Sequence, residues 1–247
     1  MTRTLRLALA YDGTDLFGWQ TQPARPTVQG LLMHSCERVL GEPVKVVGAS
    51  RTDAGVHALR QVASLATASP MAPAVLGRAL NALLPAAIRV LDCREAAPGF
   101  DARRWARGKR YGYLIDRGDA ADPFLRRYAW HAPYALEAET MARALRLLRG
   151  KHDFSAFCAA PGRGRPPTCT VRSARLVLRK GRLGILLSAD SFLHHMVRNL
   201  VGSLVEIGRG AREPGWLGAL LAARDRRLAG PTAPPRGLTL VRVLYPT

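Results

Sequence analysis

Ser50-Arg51-Thr52-Asp53-Ala54-Gly55-Val56-His57-Ala58 lies between an apolar run, Val44 to Ala49, and a semi-apolar run, Val62 to Ala66. The two runs read as strands and the stretch between them as a tight polar loop. Asp53 stands in that loop with a fixed cation, Arg51, two residues before it and Gly55 two residues after it. A carboxylate on a loop framed by two strands has the rigid mounting that a nucleophile or base requires. Asp and Gly are also common turn residues, so the loop by itself is equally a plain turn.

Outward from this loop, strands and helices alternate. Thr4 to Tyr11 alternates as a strand. Thr27 is placed to cap a helix whose Val28, Leu31, Leu32, Cys36, Val39 and Leu40 recur at helical spacing. Pro73 opens a second helix through Leu76, Leu80, Leu83 and Leu84, which Pro85 ends, and Ile88 to Cys93 is a further strand. The second half repeats the rhythm. Lys109 to Asp116 is a strand with Tyr111, Tyr113 and Ile115 on one face; Thr140 to Leu148 is a helix closed by Gly150. Val171 to Leu178 and Leu183 to Ala189 form a hairpin turning at Lys180-Gly181. Phe192 to Ile207 is the strongest helix, with Val197, Leu200, Val201, Leu204 and Val205 as its stripe, and Leu238 to Leu244 is a closing strand. The expectation is an α+β protein of two similar halves with a cleft between them, residues 1–105 and 106–247.

The 247 residues carry 37 Lys and Arg against 18 Asp and Glu, a net charge of +19, which points to a polyanionic partner, RNA or DNA first. Arg103, Arg104, Arg107, Lys109 and Arg110 form one dense basic run, and Arg163 with Arg165 another, inside a Pro-, Gly- and Arg-rich loop from Ala159 to Thr168. No apolar run is long enough to span a bilayer, no basic amphipathic helix serves a membrane surface, and Met1-Thr2-Arg3-Thr4 carries no signal peptide. The four cysteines show neither CxxC nor zinc spacing, so no metal is expected and a reducing cytoplasm fits. Asp12 and Asp15 read as a Gly-containing turn rather than a metal pair, and His57 as a hydrogen-bonding support.

Several motifs follow in order: Tyr11-Asp12-Gly13-Thr14 with Phe17-Gly18-Trp19-Gln20; Ser50 to Ala58; Asn81-Ala82-Leu83-Leu84-Pro85; Phe100-Asp101-Ala102-Arg103 before Lys109-Arg110-Tyr111-Gly112-Tyr113; Ser191-Phe192-Leu193 with Met196-Val197-Arg198; and Pro234 to Leu240. This ordered set, spanning Tyr11 to Pro246, resembles the tRNA pseudouridine synthase A family. The resemblance implies the pseudouridine synthase fold, with a largely antiparallel sheet and a central basic cleft. It implies isomerisation of uridine to pseudouridine in tRNA, at positions 38, 39 and 40 of the anticodon stem-loop, by a homodimer without cofactor. It also implies roles: Asp53 the essential aspartate, Arg198 the arginine that pairs with it, Arg51 an arginine that helps flip the nucleotide out, Tyr111 the ring that stacks on the target base, and Leu238 the apolar residue that closes the pocket. Ser50, Trp105, Arg236 and Thr239 depart from the family's usual residues and bear on substrate preference.

The chemistry suits these residue types. Pseudouridine formation breaks the N1–C1′ bond, turns the base and rejoins it through C5, so nothing is oxidised or transferred. Glycoside hydrolases generally use two carboxylates, one to handle the leaving group and one the water or sugar. Here the base is recaptured, and one carboxylate suffices either to attack C1′ or to remove the 2′ proton and give a glycal. The carboxylate must stay ionised in an apolar pocket, which an arginine achieves by remaining protonated and gripping it with two hydrogen bonds. A non-catalytic RNA-binding protein would need the basic surface but not the acid; a nucleoside hydrolase would want a second acid or a metal cluster.

Overall fold

The computed structural model describes residues 2–159 and 166–246. The chain separates into two compact units, Met1–Arg107 with Leu240–Thr247, and Gly108–Thr239. The sequence reading assigns all of 106–247 to the second half; the structure gives the last eight residues, Leu240–Thr247, to the first unit.

In the first unit, β1 (Arg3–Tyr11) alternates strictly, and Leu5, Leu7, Leu9 and Tyr11 are buried. It pairs antiparallel with β3 (His57–Thr67) and β4 (Ile88–Glu95), and β10 (Leu238–Leu244) lies on the other side of β3. α1 (Val28–Leu40) begins as expected at Thr27, whose hydroxyl accepts the Gly30 N–H (3.3 Å), and ends at Gly41 in the left-handed region (φ 70°). α2 (Pro73–Leu83) packs on β4 and α1 and buries Leu76 and Leu80, whereas Leu83 is exposed. Cys36 is fully enclosed, and burial pushes its thiol up to about 12.

One strand is shorter than expected. Of the run Val44 to Ala49, only Val47–Gly48 forms a strand, β2, against β3. Val44 and Val46 are buried, but the Val46 carbonyl accepts from the Gln29 side chain (2.9 Å), which takes the place of a ladder partner.

In the second unit, β5 (Gly108–Asp116), β9 (Arg182–Ala189), β8 (Thr168–Arg179) and β7 (Gly150–Asp153) follow one another as antiparallel neighbours, and the short β6 (Trp130–His131) joins β5 in parallel. Tyr111, Tyr113 and Ile115 share the buried face of β5. The β8–β9 hairpin turns at Lys180 (φ 49°) and Gly181 (φ 73°), the consecutive positive φ values that a two-residue turn between twisted strands requires. α3 (Ala138–Arg146) packs on β8 and on α4 (Met196–Gly208), burying Met141, Ala144 and Leu145. Gly150 does not close α3; that helix is capped at Leu147, and Gly150 opens β7 with φ 109°. α4 starts at Met196, not Phe192, because His195 takes a left-handed conformation (φ 60°). α5 (Trp216–Ala223) has no sequence signal in the reading above, since its apolar residues run all round the helix. Among the described residues no helix is long and apolar enough to cross a membrane.

α4 is buried on nearly every side, and its Gly202 touches the segment after Gly230. A Cβ there would stand 1.7 Å from the Pro231 carbonyl oxygen. Gly202→Ala is expected to lower stability by about 1–3 kcal/mol through overpacking. A denaturant midpoint moved down at unchanged m-value would register it; an unchanged midpoint would mean that the Pro231 segment yields without strain.

Candidate active site

The loop from Ser50 to Val56 is fastened to its own unit from several sides. Ser50 N–H donates to Gln61 Oε1 (3.2 Å), and Gln61 Nε2 donates back to the Ser50 carbonyl (2.7 Å). Gln61 is fully buried, so its amide does for Ser50 what a neighbouring peptide does in a ladder. Tyr11 Oη lies 2.9 Å from Thr52 Oγ1 and accepts from Gln61 Nε2 (3.3 Å). The Thr52 carbonyl accepts from Trp19 N–H (3.0 Å), Gly55 N–H donates to the Leu16 carbonyl (3.2 Å), and Val56 N–H closes the turn on the Asp53 carbonyl (3.2 Å). Most of these bonds hold backbone beside Asp53, which is half-buried, while Arg51 on the same loop is exposed.

The first sequence motif is the counter-surface of this loop. Gly18 has φ 83°, and a Cβ on it would come within 2.6 Å of the Thr52 carbonyl oxygen. A Cβ on Gly13 would meet the Val56 carbonyl oxygen at 2.1 Å. Both glycines are therefore required by close backbone approach. Asp12 Oδ1 accepts from the Thr14 N–H (2.9 Å) and hydroxyl (2.6 Å), the turn read from the sequence. His57 Nδ1 accepts from Gly13 N–H (3.1 Å) and lies 3.2 Å from Asp12 Oδ1. His57 thus ties the two segments together as a support.

In the second unit, β5 presents Tyr111 on its buried face, and the ring meets Phe192 edge-on (centroids 5.1 Å, 86°). Two residues on, the Tyr113 hydroxyl donates to the Pro234 carbonyl (2.7 Å). Burial drives that hydroxyl's pKa well above the ordinary tyrosine value, against the pull of Arg198 and Arg236, so it remains a neutral donor. Gly237 lies flat on the Tyr113 ring, where a Cβ would stand 2.6 Å from ring carbons, and this lets Leu238, also buried, start the last strand.

Arg198 is half-buried on the first turn of α4. Its Nε donates to the Ala233 carbonyl (2.8 Å), and Ala233 N–H donates to the Arg198 carbonyl (3.1 Å). The segment that grips it is organised by Arg226. Arg226 Nη1 reaches the Gly230 carbonyl (3.0 Å), and Nη2 reaches Asn199 Oδ1 and Thr232 Oγ1 (3.1 Å each). Thr232 Oγ1 in turn donates to Asn199 Oδ1 (2.6 Å), and Asn199 Nδ2 donates to the Phe157 carbonyl (2.8 Å). A fully buried Asn inside an apolar helix is thus satisfied at both ends of its amide.

Of the residues singled out by sequence, Asp53 and Arg51 share one loop of the first unit, and Tyr111, Arg198 and Leu238 belong to the second. The His194 and His195 rings lie 3.9 Å apart, ahead of α4 rather than within it. Arg103, Arg104, Arg107 and Arg110 are exposed, with Asp101 Oδ1 accepting the Arg103 and Arg104 N–H groups (2.8 Å each). Arg163 and Arg165 lie outside the described residues. The sequence reading passed over Gln61 and Arg226; one stands in a strand and the other in a charged stretch, and neither belongs to a motif.

An acid held on a strand-framed loop in one α+β unit, and a tyrosine strand with an arginine on a largely buried helix in the other, define a basic α+β protein. Known proteins narrow this. The tRNA pseudouridine synthase family matches residues 7–103 and 144–246. A tRNA pseudouridine synthase A of Myxococcus xanthus is 44% identical over 98% of this chain and 91% of its own length. One of Moorella thermoacetica is 46% identical over 98% and 99%. A solved chain from a Cbf5-Nop10-Gar1 complex aligns with 96% of this chain and 48% of its own, at TM-score 0.41 and 12% identity. The chain belongs to the tRNA pseudouridine synthase family.

The amide clamp can be tested apart from any catalytic role. Gln61→Leu keeps the volume but removes the groups that serve Ser50, and is expected to cost about 1–3 kcal/mol. Amide exchange at Ser50 should quicken with it. Unchanged stability and unchanged exchange would show that the loop is held by its other bonds alone.

Proposed function

We propose that this protein isomerises uridine to pseudouridine in tRNA, at positions 38, 39 and 40 of the anticodon stem-loop. The observation that carries the reading is the near full-length agreement with relatives named for that activity, with an acid at Asp53 on a loop fastened through Gln61, Thr52 and Gly18. A uridine stacked in a stem is flipped out to present C1′, at a cost of a few kcal/mol. Tyr111 stacks on the ejected base and returns roughly 1–3 kcal/mol of that cost. Arg51 assists the flip. Asp53 acts on the sugar, by attack on C1′ or by taking the 2′ proton, and Arg198 supplies the fixed positive charge that keeps the carboxylate ionised. Leu238 closes the pocket over the base. The reaction draws on no cofactor and no metal.

The protein works in the cytoplasm as a homodimer, with tRNA lying across both copies. Three of the four cysteines are buried, and none stands at CxxC spacing, which supports a reducing compartment. The net charge of +19 and the exposed arginines 103, 104, 107 and 110 support a broad anionic ligand.

Asp53→Asn is expected to lower pseudouridine formation by roughly three orders of magnitude or more while tRNA affinity stays close to wild type. Mapping of modified uridines in tRNA checks this, and near-normal turnover of the variant removes Asp53 from the chemistry. Affinity for tRNA should also fall linearly with salt on a log–log plot, with a slope of several units as counterions are released. A flat dependence would contradict the broad basic footprint.

A further inference from the structure

Arg6 stands on β1 between buried Leu5 and Leu7, so its side chain leaves the face of the sheet opposite the apolar core. Its guanidinium carbon lies 4.9 Å from the centroid of the Tyr245 ring and 5.9 Å from that of Phe100. The rings are held in place by backbone. Ser64 on β3, a register partner of Arg6, accepts the Ala102 N–H (3.1 Å), and Tyr245 Oη donates to the Ala102 carbonyl (2.7 Å). Phe100 meets exposed Trp105 edge-on (centroids 5.3 Å, 77°). Arg6 is half-buried, yet among the described residues no acceptor meets its buried Nε and no carboxylate pairs with it. Its neighbours are cations instead. Arg94 is its register partner on β4, and Arg242 stands exposed on β10. Burial pulls the Arg6 pKa below the ordinary arginine value; Arg94 and Arg242 add to the pull, and Tyr245 and Asp92 oppose it. The Asp92 carboxylate lies 3.5 Å from Arg94 Nε, so it is shared between the two arginines.

We propose that Arg6, Arg94 and Arg242, with the aromatic frame of Phe100, Trp105 and Tyr245, form a seat for the phosphodiester backbone of tRNA on the first unit. The proposal rests on the reading of tRNA as substrate and adds a contact surface to it. A half-buried cation without a counter-charge is costly, and like charges beside it raise the cost. An anion in the seat offsets both. Stacking on rings takes up the faces of a guanidinium and leaves its N–H edge, the part that grips phosphate. The span chooses the occupant. In the strand order β4-β1-β3-β10 the outer arginines stand three strand spacings apart, about 14 Å. A lone phosphate reaches one of the three arginines, whereas a polyanion follows the row. The interleaved rings, one of them exposed, suit RNA rather than another polyanion, because bases stack on aromatic side chains.

The test measures tRNA affinity across a salt series, with thermal midpoint and mass in solution, for wild type, Arg6→Leu and Arg242→Gln. The proposal expects each variant to bind tRNA about five- to tenfold more weakly at low salt, with the log–log salt slope shallower by roughly one unit. Arg6→Leu should melt at the wild-type temperature or above it, since it exchanges an unpaired, half-buried charge for an apolar side chain. Arg242 is exposed, so Arg242→Gln keeps the test open should Arg6→Leu fail to fold. Affinity and slope unchanged in the folded variants overturn the proposal. So does an Arg6→Leu midpoint that falls while the slope holds, which would make Arg6 a structural strut between its rings. Weaker binding that comes with a change of mass would place a protein contact on this face and overturns it as well. If binding responds as expected while the wild type forms no pseudouridine, the seat stands and the activity reading falls.

Discussion

Asp53 is positioned by an amide that imitates a peptide. The backbone leaving β2 must turn away from the sheet, and each N–H and C=O it carries into the interior needs a partner there. Gln61, fully buried on β3, satisfies both polar groups of Ser50 with its one amide. The Tyr11 hydroxyl and Trp19 N–H hold Thr52, the next residue but one. Removal of a partner here would leave desolvated groups at a cost comparable with a sizeable part of a domain's net stability. The carboxylate is therefore carried by a frame whose geometry is set by hydrogen bonds made elsewhere, the condition for a reactive group to keep its aim.

The same physics explains what could be read from the chain and what could not. Alternating β1, the Thr27 cap, the Lys180-Gly181 turn and the β5 tyrosines follow rules that act within a few residues, and each is where its local pattern puts it. The polar loop around Asp53 was legible for the same reason. The strand at 44–49 was misread because Gln29, distant in sequence, claims the Val46 carbonyl. The start of α4 was misread because apolar periodicity runs back through Phe192 while His195 breaks the helix with a positive φ that no composition rule foretells. Leu83 fits a helical stripe yet is exposed, since periodicity marks a face but not where the covering layer stops.

Supporting residues were harder still. Asn199 looks like a blemish in the stripe of α4, and Arg226 like one more charge in a basic chain. Together with Thr232 they form the polar knot that fixes the segment gripping Arg198. Such a knot inside an apolar layer is tolerable only when every member is satisfied, and then it specifies one arrangement of the chain. It leaves no short-range signature, because its members are separated by a turn, a helix and a loop.

The two tyrosines on β5 show how the surroundings divide roles between like residues. Both rings are buried on one face of one strand. The Tyr113 hydroxyl is committed to the Pro234 carbonyl, and burial holds it neutral against the arginines near it. A phenol so raised is a poor proton acceptor at neutral pH, and its ring is covered by Gly237. Tyr113 is therefore a strut beneath the start of β10. Tyr111 meets Phe192 edge-on, a contact that sets the plane of the ring rather than covering its face. Of the pair, Tyr111 is the one for which the stacking role is proposed.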